Sequence, residues 1–240
     1  MASKTADKSF VFLNQKKHRI RIDCKWYELK SEQVKSSESE GNVPKKLTHS
    51  EDAALRREAE SLLNEDIAKY LEHQSNSRSK TDFNWIRVVL KKGALNDKLA
   101  AHTLLIEDSA VHNLRSVDEL VKMTNSKGKR EQILAMDHLK DIFIADLLPD
   151  HKLKPFAELV VNINSIEDKK KRETLLILAY VEDHIRTQYA DFCHAIEKMS
   201  HDQVETTKSK AINAMYDLLA SNPNEERFIL EKIVNKIGMS

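Results

Sequence analysis

Four glycines and four prolines in 240 residues leave this chain few places to form a tight turn or a β-hairpin. Leu, Lys, Glu, Ala and Ile are plentiful instead, and all are at home in a helix. The expected class is therefore all-α. The clearest single unit lies around Pro149. Leu134, Met136, Leu139, Ile142, Phe143, Ile144, Leu147 and Leu148 recur at spacings of three and four, so one wide face of that segment must be buried. Pro149 cannot continue the helix, because its ring fixes φ and it has no amide hydrogen. Asp150 can cap a new helix, and Lys152, Leu153, Lys154, Phe156, Leu159 and Val160 read as that second helix returning against the first. Helix, short turn, helix is the unit from which solenoids are stacked.

Capping residues mark helix starts along the rest of the chain. Thr48 with Glu51, Ser116 with Glu119 and Ser200 with Gln203 have the spacing of a capping box. Asn222, Pro223 and Glu225 combine a cap, a first-turn proline and a reciprocal acid. The helices these marks imply run over 50–74, 82–91, 95–107, 116–124, 127–147, 151–163, 166–198, 201–220 and 224–237. No internal repeat is regular enough for a tetratricopeptide or ankyrin array, whereas HEAT-type helix pairs tolerate such divergence. The expected body is thus an irregular HEAT-like helical-repeat solenoid over 48–240. Residues 1–47 are expected to be mostly extended or flexible, with short apolar stretches at Phe10–Leu13 and Ile20–Leu29 and a Ser/Glu/Lys-rich linker over Ser31–Pro44. Trp26 and Tyr27 form a short anchor there, which either docks on the helical body or engages a partner; large amphipathic rings usually find cover in their own chain.

Chemistry is sparse. No GxxxxGK[ST], GxGxxG, HExxH or GxSxG occurs, and so few glycines cannot build a backbone cradle for phosphate. Cys193 and His194 are neighbours whose side chains diverge by about 100° on a helix, which suits two surfaces better than one metal. His184 stands beside Glu182 and Asp183 without any nucleophile setting. The expectation is a protein that is not an enzyme and holds neither cofactor nor metal. Cys24 and Cys193 lie far apart with no CxxC spacing, which fits reduced thiols. No apolar run reaches the length of a membrane span, and MASKTADKSF lacks the apolar core of a signal peptide, so no membrane partner is expected.

Thirty-nine basic residues against 38 acidic ones exclude a polycation that coats nucleic acid. Local basic stretches remain: Lys91 and Lys92; Lys127, Lys129 and Arg130; Lys152 and Lys154; and Lys169, Lys170, Lys171 and Arg172. Each offers the point charge a phosphate or an acidic partner needs. Each also fits an ordinary solvated face, and a cation at a helix C-terminus complements the dipole. The run from Lys169 to Arg172 stands at a helix start, where cations oppose the dipole, so helix stability alone explains it less well.

Three ordered blocks then stand out: GALNDKLAAHTLLIEDSAVHN over Gly93–Asn113, HLKDIFIADLLPDHKLKPF over His138–Phe156 and NPNEERFILEKIVNKIG over Asn222–Gly238. Between the last two lies YVEDHIRTQYADF, Tyr180–Phe192. In this order they resemble the CCAAT-binding-factor domain, whose family comprises CCAAT/enhancer-binding protein zeta and the related nucleolar complex proteins. Ala110 stands where the family commonly has proline, and His151 where it commonly has arginine. The resemblance implies an α-helical scaffold of the nucleus and nucleolus that helps to assemble large-subunit ribosome precursors, partnered by another nucleolar complex protein and touching pre-ribosomal RNA. Family members continue past the VNKIG block, so it also implies a fragment, a short isoform or a truncated paralogue. The family's historical name points to a second reading, a transcription factor on CCAAT promoter DNA. Base readout would need a basic recognition helix, and none is visible.

Overall fold

A computed structural model describes residues 19–22, 24–35, 47–76 and 80–237. Among these the only regular elements are helices: α1 (Trp26–Lys35), α2 (His49–Asn76), α3 (Lys80–Lys92), α4 (Leu95–Asp108), α5 (Leu114–Thr124), α6 (Lys129–Ile142), the single turn α7 (Phe156–Leu159), α8 (Lys169–Met199), α9 (Glu205–Ser221) and α10 (Glu226–Ile237). A π-turn, Phe143–Leu147, extends α6, and a 3₁₀ turn covers Ile163–Ser165. The all-α expectation holds. The described residues divide between two compact units, one drawn from Met1–Phe83 and Ala157–Tyr180, the other from Asn84–Phe156 and Val181–Ser240.

In the first unit α2 buries Leu55, Ala59, Leu63, Asp66 and Tyr70, a stripe at spacings of four and three. Ile20, Trp26, Leu29, Val160, Ile163 and Leu176 to Ala179 complete that core. Asp66 is a fully buried carboxylate, and it accepts hydrogen bonds from the backbone amides of Arg19 (2.8 Å) and Ile20 (3.1 Å). Burying such a charge is costly unless donors meet it, and here they fix the leading segment to α2. The Arg19 side chain reaches Glu65 and Glu173, each at 3.0 Å. The described part of the leading segment is therefore tied into a core, and Ser31–Lys35, expected as the start of a flexible linker, close α1. The rest of that linker and the Phe10–Leu13 stretch lie outside the described residues.

The start of α2 forms as its residues require. Thr48 N donates to Glu51 Oε2 at 2.8 Å and Glu51 N to Thr48 Oγ1 at 3.3 Å, a reciprocal capping box. At the start of α8, Asp168 Oδ1 accepts from the amides of Lys170 (2.9 Å) and Lys171 (3.3 Å). That carboxylate offsets the unfavourable placing of four cations in the first turn.

In the second unit α5 buries Leu114, Val117, Leu120 and Val121, and α6 buries Ala135, Met136, Leu139 and Ile142. The π-turn then sets Phe143 edge-on to Tyr189 (ring centroids 5.1 Å apart) and stacks it on Phe192 (5.3 Å). Burial pushes the Tyr189 hydroxyl strongly up, and it raises the Cys193 thiol to about 12. Gly93 ends α3 where no larger residue fits, since a Cβ there would come within 2.6 Å of Val89 O. Asn113 Nδ2 joins two carbonyls at the end of α4, Leu105 O (2.8 Å) and Ser109 O (2.9 Å), and so sets the turn into α5.

Several expected boundaries move. Ser116 lies inside α5, Ser200 Oγ donates back to Glu197 O (2.7 Å), and α9 begins only at Glu205 after Asp202 has accepted from Val204 N (2.8 Å). Glu225 adopts a left-handed φ of 52° and α10 starts at Glu226, so it is no reciprocal acid of a cap. The largest difference is the helix expected over 151–163. Only the turn Phe156–Leu159 and the 3₁₀ turn after it are helical. Pro155 has no amide hydrogen and biases Lys154 away from the helical region, and the amides before it are engaged elsewhere.

Candidate nucleic-acid interface

The segment Asp150–Pro155 is held by side chains distant in sequence. Asn222 Nδ2 donates to Pro149 O at 2.7 Å, and Asn224 Nδ2 to His151 O at 3.1 Å. Leu153 N donates to Asn224 Oδ1 at 2.7 Å, and Lys154 N to Glu182 Oε1 at 3.0 Å. The two asparagines also bond one another, Asn224 Nδ2 to Asn222 Oδ1 at 2.6 Å and Asn224 N to the same oxygen at 3.0 Å. Asn222, Asn224 and Glu182 are all buried. Backbone groups that a helix would satisfy by itself are thus satisfied by a buried polar clasp, which fixes the segment without making it helical. Pro149, Leu153 and Phe156 are buried, while His151, Lys152 and Lys154 are exposed. Lys152 Nζ lies 3.7 Å from Glu226 Oε2, with both side chains more than half exposed. Such a pair contributes at most about 1 kcal/mol and is screened by salt.

The other basic stretches are committed differently. In the first unit Arg172 forks onto both oxygens of Glu58, with Nη2 3.0 Å from Oε2, and its Nη2 lies 3.4 Å from Asn164 Oδ1. The hydrogen bond from Arg172 holds the Glu58 carboxyl below its ordinary range, and the same bond raises the guanidinium. Lys169 Nζ is 3.9 Å from Glu173 and largely exposed, Lys170 is exposed, and Lys171 is half-buried. In the second unit Lys129 meets Asp202, 2.6 Å from Oδ2, and that hydrogen bond lowers the Asp202 carboxyl. Lys127 and Arg130 on either side are exposed, as are Lys91 and Lys92 at the end of α3. Lys127–Arg130 and Lys152–Lys154 belong to the second unit, and Lys169–Arg172 to the first.

The Trp26 ring is 2% exposed and stands edge-on to Tyr27 at 5.5 Å. Tyr27 is half-buried, with Lys25 Nζ 5.9 Å above its ring. Cys193 is buried while His194 is exposed and packs edge-on against Phe228 at 4.5 Å, so the two neighbours do face different surroundings. His184 Nε2 lies 2.7 Å from Asp118. No three His, Cys, Asp or Glu side chains among the described residues are placed to hold a metal ion, and no described helix is long and apolar enough to cross a membrane.

Sequence patterns alone do not reveal Asn222, Asn224 and Glu182 in these roles. Asn222 reads as a local cap, and it does accept from Asn224 N, but its amide reaches a carbonyl 73 positions away. The available signal is Pro155, which argues against a helix at 151–154 and leaves its amides in need of partners.

No family model matches the chain. Individual relatives do. CCAAT/enhancer-binding protein zeta of Homo sapiens is 31% identical over 236 residues, 95% of this chain and 21% of that protein. Nearly the whole chain is thus homologous to a stretch of CCAAT/enhancer-binding protein zeta. The protein named Ribosome biogenesis protein NOC1 of Chaetomium thermophilum is 29% identical over 78% of the chain and 19% of its own length. Nucleolar complex protein 1 of Drosophila melanogaster is 26% identical over 68% of the chain and 14% of its own length. The chain thus spans between about a seventh and about a fifth of the length of the relatives it matches.

Proposed function

We propose that the chain is a non-catalytic scaffold of ribosome assembly in the nucleolus. The observation that carries this reading is its similarity, over most of its length, to proteins named for ribosome biogenesis and for a nucleolar complex. In this reading it serves maturation of the large-subunit precursor, binds another nucleolar complex protein, and touches pre-ribosomal RNA. Its helix pairs stack in an irregular HEAT-like fashion, presenting apolar faces to protein and isolated basic corners to folded RNA, which is recognised through shape and phosphate. The contacts come from Lys152 and Lys154, from Lys127 and Arg130 beside Lys129, and from Lys169 to Lys171 beside Arg172. Tyr27 is the part of the leading anchor left for a partner, since Trp26 is spent on its own unit.

Sedimentation of tagged protein with pre-ribosomal particles tests this. Co-migration with large-subunit precursors is expected, and absence from every such particle overturns the reading. A second reading, a factor acting at CCAAT-containing promoters, is favoured by the name that the human and mouse relatives share. Promoter occupancy without particle association would decide for it.

A further inference from the structure

We propose that the clasped segment His151–Lys154 is the edge on which this chain grips the phosphate backbone of RNA, through Lys152 and Lys154, with Glu226 as a resident competitor. The inference rests on the scaffold reading and narrows its many candidate cations to one site. Three features set this segment apart.

The segment is fixed before any ligand arrives. Four backbone bonds in it and at the adjoining Pro149 end on buried side chains of Asn222, Asn224 and Glu182, so binding orders little that is not already ordered. Next, Leu153 is buried between the two lysines, which both face solvent as a consequence. Finally, the charges are nearly uncommitted. Lys152 shares a solvated pair with Glu226, which a phosphate displaces at low cost, whereas Arg172 and Lys129 are engaged by carboxylates within the fold; Lys127, Arg130 and Lys170 are as exposed, so it is the joining of exposed charge to a clasped backbone that marks this segment.

RNA fits this edge better than an acidic protein does. A stable protein interface wants a dry apolar centre, and here Pro149, Leu153 and Phe156 are all buried within the fold. Phosphate needs only a positioned point charge, and the affinity it brings depends steeply on salt.

The full chain is titrated with a base-paired RNA hairpin, and separately with a polyglutamate peptide, by fluorescence anisotropy over a range of salt. Lys152→Ala with Lys154→Ala should weaken hairpin binding on the order of tenfold near 0.1 M salt and lower the salt slope by about 1.5. Glu226→Gln should strengthen it roughly twofold by releasing Lys152. A charge-matched control, Lys122→Ala with Lys208→Ala, should change little. The site is overturned if the Lys152/Lys154 variant binds the hairpin as the parent does, if the control loses as much, or if only polyglutamate is bound. Those results would leave the scaffold reading standing as long as the protein still co-migrates with precursor particles; loss of co-migration alone, with the hairpin results as expected, would sink the scaffold reading and keep the site.

Discussion

His151–Lys154 and Lys169–Arg172 are the two short basic stretches that look most alike on paper, and the structure treats them in opposite ways. At the start of α8 the backbone bonds itself once Asp168 has capped the first turn, and the side chains are then free to be used inside the unit. Arg172 is accordingly committed to Glu58, and Lys169 leans on Glu173. In the clasped segment the backbone cannot bond itself, so buried side chains are spent on the main chain and the cations are left outside. Counting positive charges does not separate these cases. Asking what satisfies the backbone does, because a helix obtains that satisfaction locally and an irregular segment must be given it.

The largest expected effect that probes this contrast comes from Asn224→Ala. It leaves the buried Leu153 N and the part-buried His151 O without their partners, and a loss of about 2 kcal/mol is expected in urea denaturation. Cys193 reports how far the damage spreads: its buried, raised thiol should resist alkylation in the parent and react faster in this variant. A cost below about 0.5 kcal/mol would break the contrast, since the clasp would then contribute no more than an exposed contact does.

Glu58→Gln comes next, at about 1 kcal/mol, because Glu58 is 41% exposed and solvent screens the pair. Its carboxyl is held below the ordinary value of 4.5, so the pair contributes fully above that pH and is lost as pH falls through the folded value. Parent and variant should therefore converge in acid; a gap that persists at pH 2 would argue that packing, not charge, is the source.

A smaller effect should appear nearer neutrality in the second unit. Burial lowers His102 from 6.5, with Lys98 adding to the shift and Glu119 opposing it. The folded state then binds fewer protons, so stability falls as pH drops below about 6.5 and levels off under the folded value. His102→Gln should flatten that part of the profile, and an unchanged profile would assign it elsewhere. Smallest of all, Lys152→Ala with Lys154→Ala should lower stability by less than about 0.5 kcal/mol, since both side chains are exposed. A larger loss would make these lysines structural and place the segment with Arg172.

Most of the helical order is readable from residues alone, and the reason is physical. Leu55, Ala59, Leu63 and Tyr70, or Leu114, Val117, Leu120 and Val121, bury one face at helical spacing, and few interactions compete with that pattern. The Thr48 box is also legible because both partners lie within one turn. Apolar spacing reports burial, however, and not the backbone's state. Leu153, Phe156 and Val160 are buried as their spacing implies, yet no helix runs from 151 to 163. The candidate interface is half visible: Lys152 and Lys154 stand out as cations, whereas the three side chains that fix them come from positions far along the chain, and no local pattern encodes such a pairing. The Trp26–Lys35 helix is similarly hidden, since the leading segment it belongs to is held by Asp66 from the middle of α2.

The π-turn Phe143–Leu147 has a consequence for how this chain can change by insertion and deletion. A wide turn of this kind accommodates one residue more than the regular ladder needs. Removing a single residue from it would leave a continuous, well-bonded α-helix, so no gross misfolding need result. The extra residue is what the wide turn absorbs, so the segment beyond it keeps its register and the Pro149 carbonyl its place against Asn222. A deletion in the regular turns of α6 has no such slack and would swivel everything beyond it by about 100°, so the wide turn at the end of that helix is where a lost codon leaves the surface beyond it as it is.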